Sequence, residues 1–329
     1  MSRVEQRKAG FKSKPGSSGE RTRKNEQLRK EKRSTMILAK RLKGASLGQE
    51  EQEQFSDAYL AEALQKIVGD VGARYEGLRM VRRLLCSAQP RISQLIGAGV
   101  VPLAAQMLVC PNEDLRLEAA WCLTNIATGN HEETGEVLAA APQMLQLLLG
   151  GAGVTVALQE QVCWALGNIA GDCDEYRQVL LAHSCLPAVT HFLETATALP
   201  CTPAPASQGL SSPSPSSSSC TTTTPAQTAA WALSNLARGA VPGAAFVDLD
   251  KAPLLLRLLA CGMGGGGGAG EGVGGGVGGV LAGGPDCVAV EVWWLFAFLS
   301  AKEDAAVEHY LQRGLLGAVA MALQSAVAQ

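Results

Sequence analysis

Aromatic side chains are scarce in this chain: Phe, Trp and Tyr make up 5% of its 329 residues. A nucleic-acid arm would want rings to stack on bases, and the basic N-terminal stretch offers only Phe11. The four histidines, His131, His183, His191 and His309, are dispersed, with no His–carboxylate metal spacing and no nucleophile elbow. Ten cysteines (Cys86, Cys110, Cys122, Cys163, Cys173, Cys185, Cys201, Cys220, Cys261 and Cys287) include no Cys-x-x-Cys pair. Enzyme chemistry, a bound metal and a cofactor are therefore not expected. No apolar run reaches bilayer length; the most apolar, Val288 to Ser300, is broken by Glu291. The N-terminus is polar and basic with no apolar core, so no signal peptide is read, and the reducing cytosol or nucleus is the expected compartment. The Gly-rich run 264–279 lacks the preceding strand and the Gly-Lys-Ser/Thr that a phosphate cradle needs, and reads as linker.

Charge is present but sorted. The net charge of −2 hides residues 1–44, with fifteen Lys/Arg against four Glu, while the rest carries thirteen basic and twenty-six acidic groups. A +11 arm on a −13 body suits an arm that binds an acidic partner, or its own body. Within it, Arg21, Arg23, Lys24, Leu28, Arg29, Lys30, Lys32, Arg33, Leu38, Lys40, Arg41 and Leu42 are helix-compatible. The apolar stripe is too narrow for a stable lone helix, so helix is expected only against a neutralising partner.

Four tryptophans carry the order of the rest. Trp121, Trp164 and Trp231 each stand four residues before an asparagine, at Asn125, Asn168 and Asn235, and a worn copy pairs Trp294 with Phe298. Four residues is just over one helical turn, so each pair shares a helix face. The intervals are 43, 67 and 63 residues. A helical unit recurring every 40–47 residues or so marks armadillo or HEAT arrays. Two low-complexity inserts, 197–225 (Pro/Ser/Thr) and 262–285 (Gly), account for the longer intervals. Neither can bury enough apolar surface to fold alone.

Between them, each unit reads as a long helix, a short one and a third. The second unit is Leu115–Ala127, a turn at Gly129-Asn130, Glu132–Ala140 and Pro142–Leu149. The third is Leu158–Ala170, a turn at Gly171-Asp172, Tyr176–Ala182 and Pro187–Leu193. Each Pro falls in the first turn, where a missing N–H costs nothing. The expected organisation is an arm (1–44), an acidic linker and leading helix (45–75), about five units (76–319) and a tail (320–329). In the leading helix Phe55, Tyr59, Leu60, Ala63, Leu64, Ile67 and Val68 form the apolar stripe. The fold class is all-α: a right-handed superhelical armadillo-repeat solenoid with a flexible basic N-terminal arm.

If the Trp/Asn helices line one shared surface, they present rows of indoles and carboxamides. A carboxamide can pair with both the N–H and C=O of an extended peptide. Slots between indoles clasp a Lys or Arg stem, and the ring faces add roughly 0.5–2 kcal/mol for the cation. Core packing alone gives no reason for a carboxamide at i+4, so a Lys/Arg-rich extended peptide is the expected ligand.

The stretches Glu118–Gly129 and Trp164–Asp172, the latter followed by Glu175-Tyr176-Arg177, closely resemble importin-α, the adaptor for nuclear-localisation signals. Leu28-Arg29-Lys30-Glu31-Lys32-Arg33 is similar to that family's importin-β-binding arm. The resemblance implies that Trp121/Asn125, Trp164/Asn168 and Trp231/Asn235, with Trp294 at the worn end, form the signal-binding groove. It implies that Asp172 receives the key Lys, helped by Gly129 and Thr134, and that Arg238 lines the groove. The implied partners are importin-β and Lys/Arg-rich cargo, with neither nucleic acid nor membrane, and the implied location is cytoplasm and nucleus, with shuttling. An arm folding back over the groove is also implied.

This chain departs from the family in having about five units where the family has ten, so the later units' minor groove is expected to be absent. The last helix face is then expected to lack a cap, with marginal stability or dimerisation as the consequence. Ala301 stands where an acidic residue often follows the fourth Trp. An armadillo scaffold without import activity, such as the transmembrane and coiled-coil-domain type of importin-α relative, is the alternative.

Overall fold

The computed structural model describes residues 56–87, 90–198, 224–260 and 288–327. The arm, the linker through residue 55, residues 199–223 of the first insert and all of the Gly-rich insert lie outside the described residues, including Phe55, Arg21, Arg23, Lys24, Leu28, Arg29, Lys30, Lys32, Arg33, Lys40 and Arg41. All but four described residues fall in one compact unit, Asp57–Leu85 with Arg91–Gln329, and the architecture below is that unit's.

A leading helix, α1 (Asp57–Ile67), is followed by five groups of three. These are α2 (Val71–Cys86), α3 (Ile92–Gly97) and α4 (Val100–Leu108); α5 (Glu113–Ile126), α6 (His131–Leu138) and α7 (Ala141–Leu148); and α8 (Val156–Asp172), α9 (Asp174–Ala182) and α10 (Cys185–Ala198). Then come α11 (Pro225–Leu236), α12 (Ala244–Val247) and α13 (Ala252–Ala260), and α14 (Val288–Leu299), α15 (Asp304–Gln312) and α16 (Leu315–Val327). Among the described residues there is no strand, and the fold is an all-α armadillo-type solenoid.

Local chemistry explains the boundaries. Asn112, Thr155 and Thr224 sit extended before α5, α8 and α11, and each side chain accepts the N–H of the third residue on. Asn130 and Glu133 close a reciprocal capping box on α6. Pro142 and Pro225 occupy the first helical positions of α7 and α11. The expected turn at Gly171-Asp172 is absent: α8 runs through Asp172, and only Cys173 breaks it, extended at φ −140°, with its sulfur accepting the Tyr176 N–H. Both edges of the Pro/Ser/Thr insert are ordered too. Helix α10 continues to Ala198 because Ala196 and Thr197 are buried, and Thr224-Pro225 opens α11. In α1 only Ala63 and Ile67 are buried, while Val68, past the helix end, is 63% exposed. Helix α16 extends through residues 320–327.

The long helices stack in order: α8 packs on α5, α11 on α8, and α14 on α11. In the same way α7 packs on α4 and α10 on α7, and the third helix of each group also packs on the long helix of the next. The core is the apolar fill of these columns, with Leu123, Ile126, Met144, Leu148, Leu158, Phe192 and Tyr310 all fully enclosed. Stacking holds across both inserts. Residues 68 apart in sequence, Asn235 and Gly167, are bonded neighbours.

Candidate functional site

The repeated Trp/Asn helices α5, α8, α11 and α14 are consecutive neighbours, so the sequence ladder is a ladder in space. Trp121, Trp231 and Trp294 are half-buried, and Trp164 is buried at 6% exposure. The carboxamides follow one register. Asn168 Nδ2 donates to the Thr124 carbonyl at 3.3 Å, and Asn235 Nδ2 donates to the Gly167 carbonyl at 3.1 Å. Thr124 and Gly167 each stand three residues after the tryptophan of the previous rung. Asn125, Asn168 and Asn235 are 4%, 0% and 4% exposed. The expectation that core packing has no use for these amides is therefore corrected. At least Asn168 and Asn235 bridge one rung to the next, and such buried backbone-directed bonds typically contribute about 1 kcal/mol each.

Close approach explains Gly167. A Cβ there would overlap Cζ3 of Trp231, so only a residue without a side chain lets the indole lie against the preceding helix. Three residues before each tryptophan lies a buried polar side chain that the motif did not single out: Glu118, Gln161, Thr228 and Glu291. Glu118 accepts from Arg82 Nε at 2.7 Å, and that guanidinium lies 6.0 Å from the Trp121 ring centroid. Burial pushes the Glu118 carboxyl up, against the pull of Arg82. Thr228 Oγ1 donates to Glu160 at 3.0 Å, and Ser234 Oγ to Glu291 at 3.4 Å.

At the C-terminal end of α8 the ladder carries its charge. Asp172 is 22% exposed, and its Oδ2 lies 2.6 Å from Nδ1 of His131, the first residue of α6. Tyr176 stacks on that imidazole, with centroids 4.7 Å apart and planes at 7°, and its hydroxyl donates to the His131 carbonyl at 3.0 Å. The hydrogen bond to Asp172 raises the His131 pKa, burial opposes it, and the Asp172, Glu175 and Glu132 charges add to it. Cys173 brings its sulfur within 4.8 Å of the His131 and Asp172 donor atoms. Two ligands on one zinc ion would stand about 3.3 Å apart. The 2.6 Å separation is that of a hydrogen bond, and Cys173 caps α9, so this is a hydrogen-bonded cluster.

The other expected residues divide. Gly129 lies against Glu133 in the turn before α6. Thr134 is fully buried and its hydroxyl donates to the Ala127 carbonyl at 3.4 Å; it presents no exposed hydroxyl for a Lys, because it packs under that same turn. Arg238 is half-buried and donates to the Gly171 carbonyl at 3.1 Å, one residue from Asp172. His131 is the residue the sequence reading missed. Its signal was its separation from Asp172, 41 residues, close to the repeat length.

Comparisons fit this geometry. The Armadillo/beta-catenin-like repeat family model matches residues 76–128. Importin subunit alpha-9 of Arabidopsis thaliana is 31% identical over 251 residues, covering 75% of this chain and 39% of that protein. Probable importin subunit alpha-A of Dictyostelium discoideum is 35% identical over 168 residues, covering 50% of this chain and 28% of that protein. The chain thus spans well under half the length of these two relatives. A designed armadillo repeat protein solved in complex with peptide (KR)4 superposes with a TM-score of 0.57 at 20% identity, covering 82% of this chain and 98% of that one. The chain is thus similar to importin alpha subunits and to armadillo-repeat proteins. Among the described residues no helix is long and apolar enough to cross a membrane.

Proposed function

We propose that this chain, an armadillo-repeat relative of the importin alpha subunits, is a nuclear-import adaptor that reads Lys/Arg-rich localisation peptides along its Trp/Asn rungs. Residues 1–44 would engage importin-β, and the protein would shuttle between cytoplasm and nucleus. The observation that carries the reading is that Trp121, Trp164, Trp231 and Trp294 stand on consecutive packed helices, with a partly exposed Asp172 at the end of one of them. Indole rows supply walls for basic side-chain stems, and the carboxylate supplies a counter-charge at the end of α8. The carboxamides of Asn168 and Asn235 are buried and already donate to backbone carbonyls, so in this reading they meet a peptide only after exchanging those bonds. The peptide (KR)4 bound by the designed armadillo protein belongs to the same ligand class.

The test is fluorescence anisotropy of labelled (Lys-Arg)4 with the full chain. Asp172→Asn is expected to weaken binding tenfold or more, where each factor of ten is about 1.4 kcal/mol. Unchanged affinity sinks the reading. For the arm, reversing Arg29, Lys30 and Arg33 to Glu in the full chain is expected to abolish importin-β capture.

A second reading, an armadillo scaffold without import activity, is favoured by those same buried carboxamides, which give the ladder a purely structural use. Capture of importin-β together with basic peptide separates the two.

A further inference from the structure

We propose that His131 is a built-in competitor for the Asp172 carboxylate, so that capture of a peptide cation there tightens as pH rises. This rests on the reading that Asp172 receives a peptide Lys.

Position comes first. His131 opens α6, and its Nδ1 lies 2.6 Å from the carboxylate at the end of α8, in the place where an incoming ammonium would donate. The imidazole is 57% exposed and Asp172 22%. Its placement is built. Tyr176 lies flat against the ring at 4.7 Å and anchors the His131 carbonyl through its hydroxyl, and a Cβ on Gly135 would overlap that hydroxyl. Tyr176 and Asp172 therefore hold His131 from two other elements, α9 and α8, and Gly135 leaves room for the Tyr176 hydroxyl.

Charge supplies the switch. The groups around the imidazole are Asp172 on α8, Cys173 at the junction, Glu175 and Tyr176 on α9, and Glu132 on its own helix. The charges facing it are carboxylates, which favour the imidazolium and place its titration above the ordinary 6.5. While charged, His131 satisfies Asp172, and a Lys ammonium must displace one cation to enter. Once neutral, the imidazole gives up its charge-assisted bond and the carboxylate becomes available. Linkage then fixes the sign. Between the lower midpoint of the peptide-bound chain and the higher midpoint of the free chain, each pH unit downward weakens peptide binding by up to about tenfold, and outside that window the dependence vanishes. Reciprocity requires bound peptide to lower the His131 midpoint.

The experiment is anisotropy with labelled (Lys-Arg)4 and the full chain, from about pH 5.5 to 8.5 at constant ionic strength. Expected is an affinity that climbs with pH in the wild type, and a flat profile in His131→Asn that is tighter than wild type at the acid end. NMR titration of the His131 imidazole, assigned by its loss in His131→Asn, adds a readout that a merely structural role would not move. Its midpoint is expected above 6.5 in the free chain, lower in Asp172→Asn, and lower again when peptide saturates the wild type. Matching pH profiles for wild type and His131→Asn, or a midpoint indifferent to peptide, overturn the proposal while leaving the adaptor reading intact. Absence of peptide binding in every variant at every pH overturns both.

Discussion

The rungs on α8 and α11 and the rung on α14 begin from the same pattern and end differently. On α8 and α11 an asparagine four residues past the tryptophan reaches back to a backbone carbonyl of the previous long helix. On α14 that position is Phe298, which stacks on its own Trp294 at 6.1 Å and 26°. An intact rung spends its polar group between helices, whereas the worn rung makes an aromatic pair along one helix. The link from α14 back to α11 passes instead through the buried Glu291 and Ser234. What recurs is therefore register between neighbours, and the tryptophan alone does not make a rung.

Truncating the tryptophans should separate the rungs most. Trp164→Ala, at a site 6% exposed, is expected to cost about 3–5 kcal/mol in urea unfolding, and Trp294→Ala, half-buried beside Phe298, distinctly less. Equal losses would mean that the intact and worn rungs bear the same load. Next come the bridges. Asn168→Ala and Asn235→Ala should each cost roughly 1–3 kcal/mol, because a buried carbonyl loses its donor, whereas Phe298→Met should cost under about 1.5 kcal/mol. Gly167→Ala sharpens the same contrast: displacing the Trp231 ring should cost about 1–3 kcal/mol, seen as a lower Tm and a changed Trp emission.

The smallest effect is pH-dependent. Because the folded His131 pKa is raised, its pairing with Asp172 stabilises fully below about pH 6.5 and is lost as pH rises through the raised value. Wild type should therefore lose a small Tm advantage over His131→Asn between pH 6 and 8.5 or so, with its neighbours otherwise unchanged.

Much of this was legible in the sequence. Tryptophan spacing and the prolines in first turns located the long helices, because helix periodicity is a local property. The use of Asn168 and Asn235 was not legible, since a carboxamide suits a peptide backbone and a neighbouring helix backbone equally well. The burial of Thr134 was not legible for a related reason, as a small polar side chain in a capped turn can point inward. The His131–Asp172 pair lay hidden in the repeat itself. Residues one unit apart are neighbours, as Arg82 and Glu118 (36 apart) and Tyr176 and His131 (45 apart) also show. Reading the sequence at that offset would have found it.

If the intact rungs read a basic peptide, as proposed, the worn rung should contribute least. Full-chain protein carrying 5-fluorotryptophan has five resonances, from Trp121, Trp164, Trp231, Trp293 and Trp294. On addition of (Lys-Arg)4, the resonances of Trp121, Trp164 and Trp231 should move furthest and that of Trp294 less. No movement, or movement greatest at Trp294, would rule out peptide reading by the intact rungs.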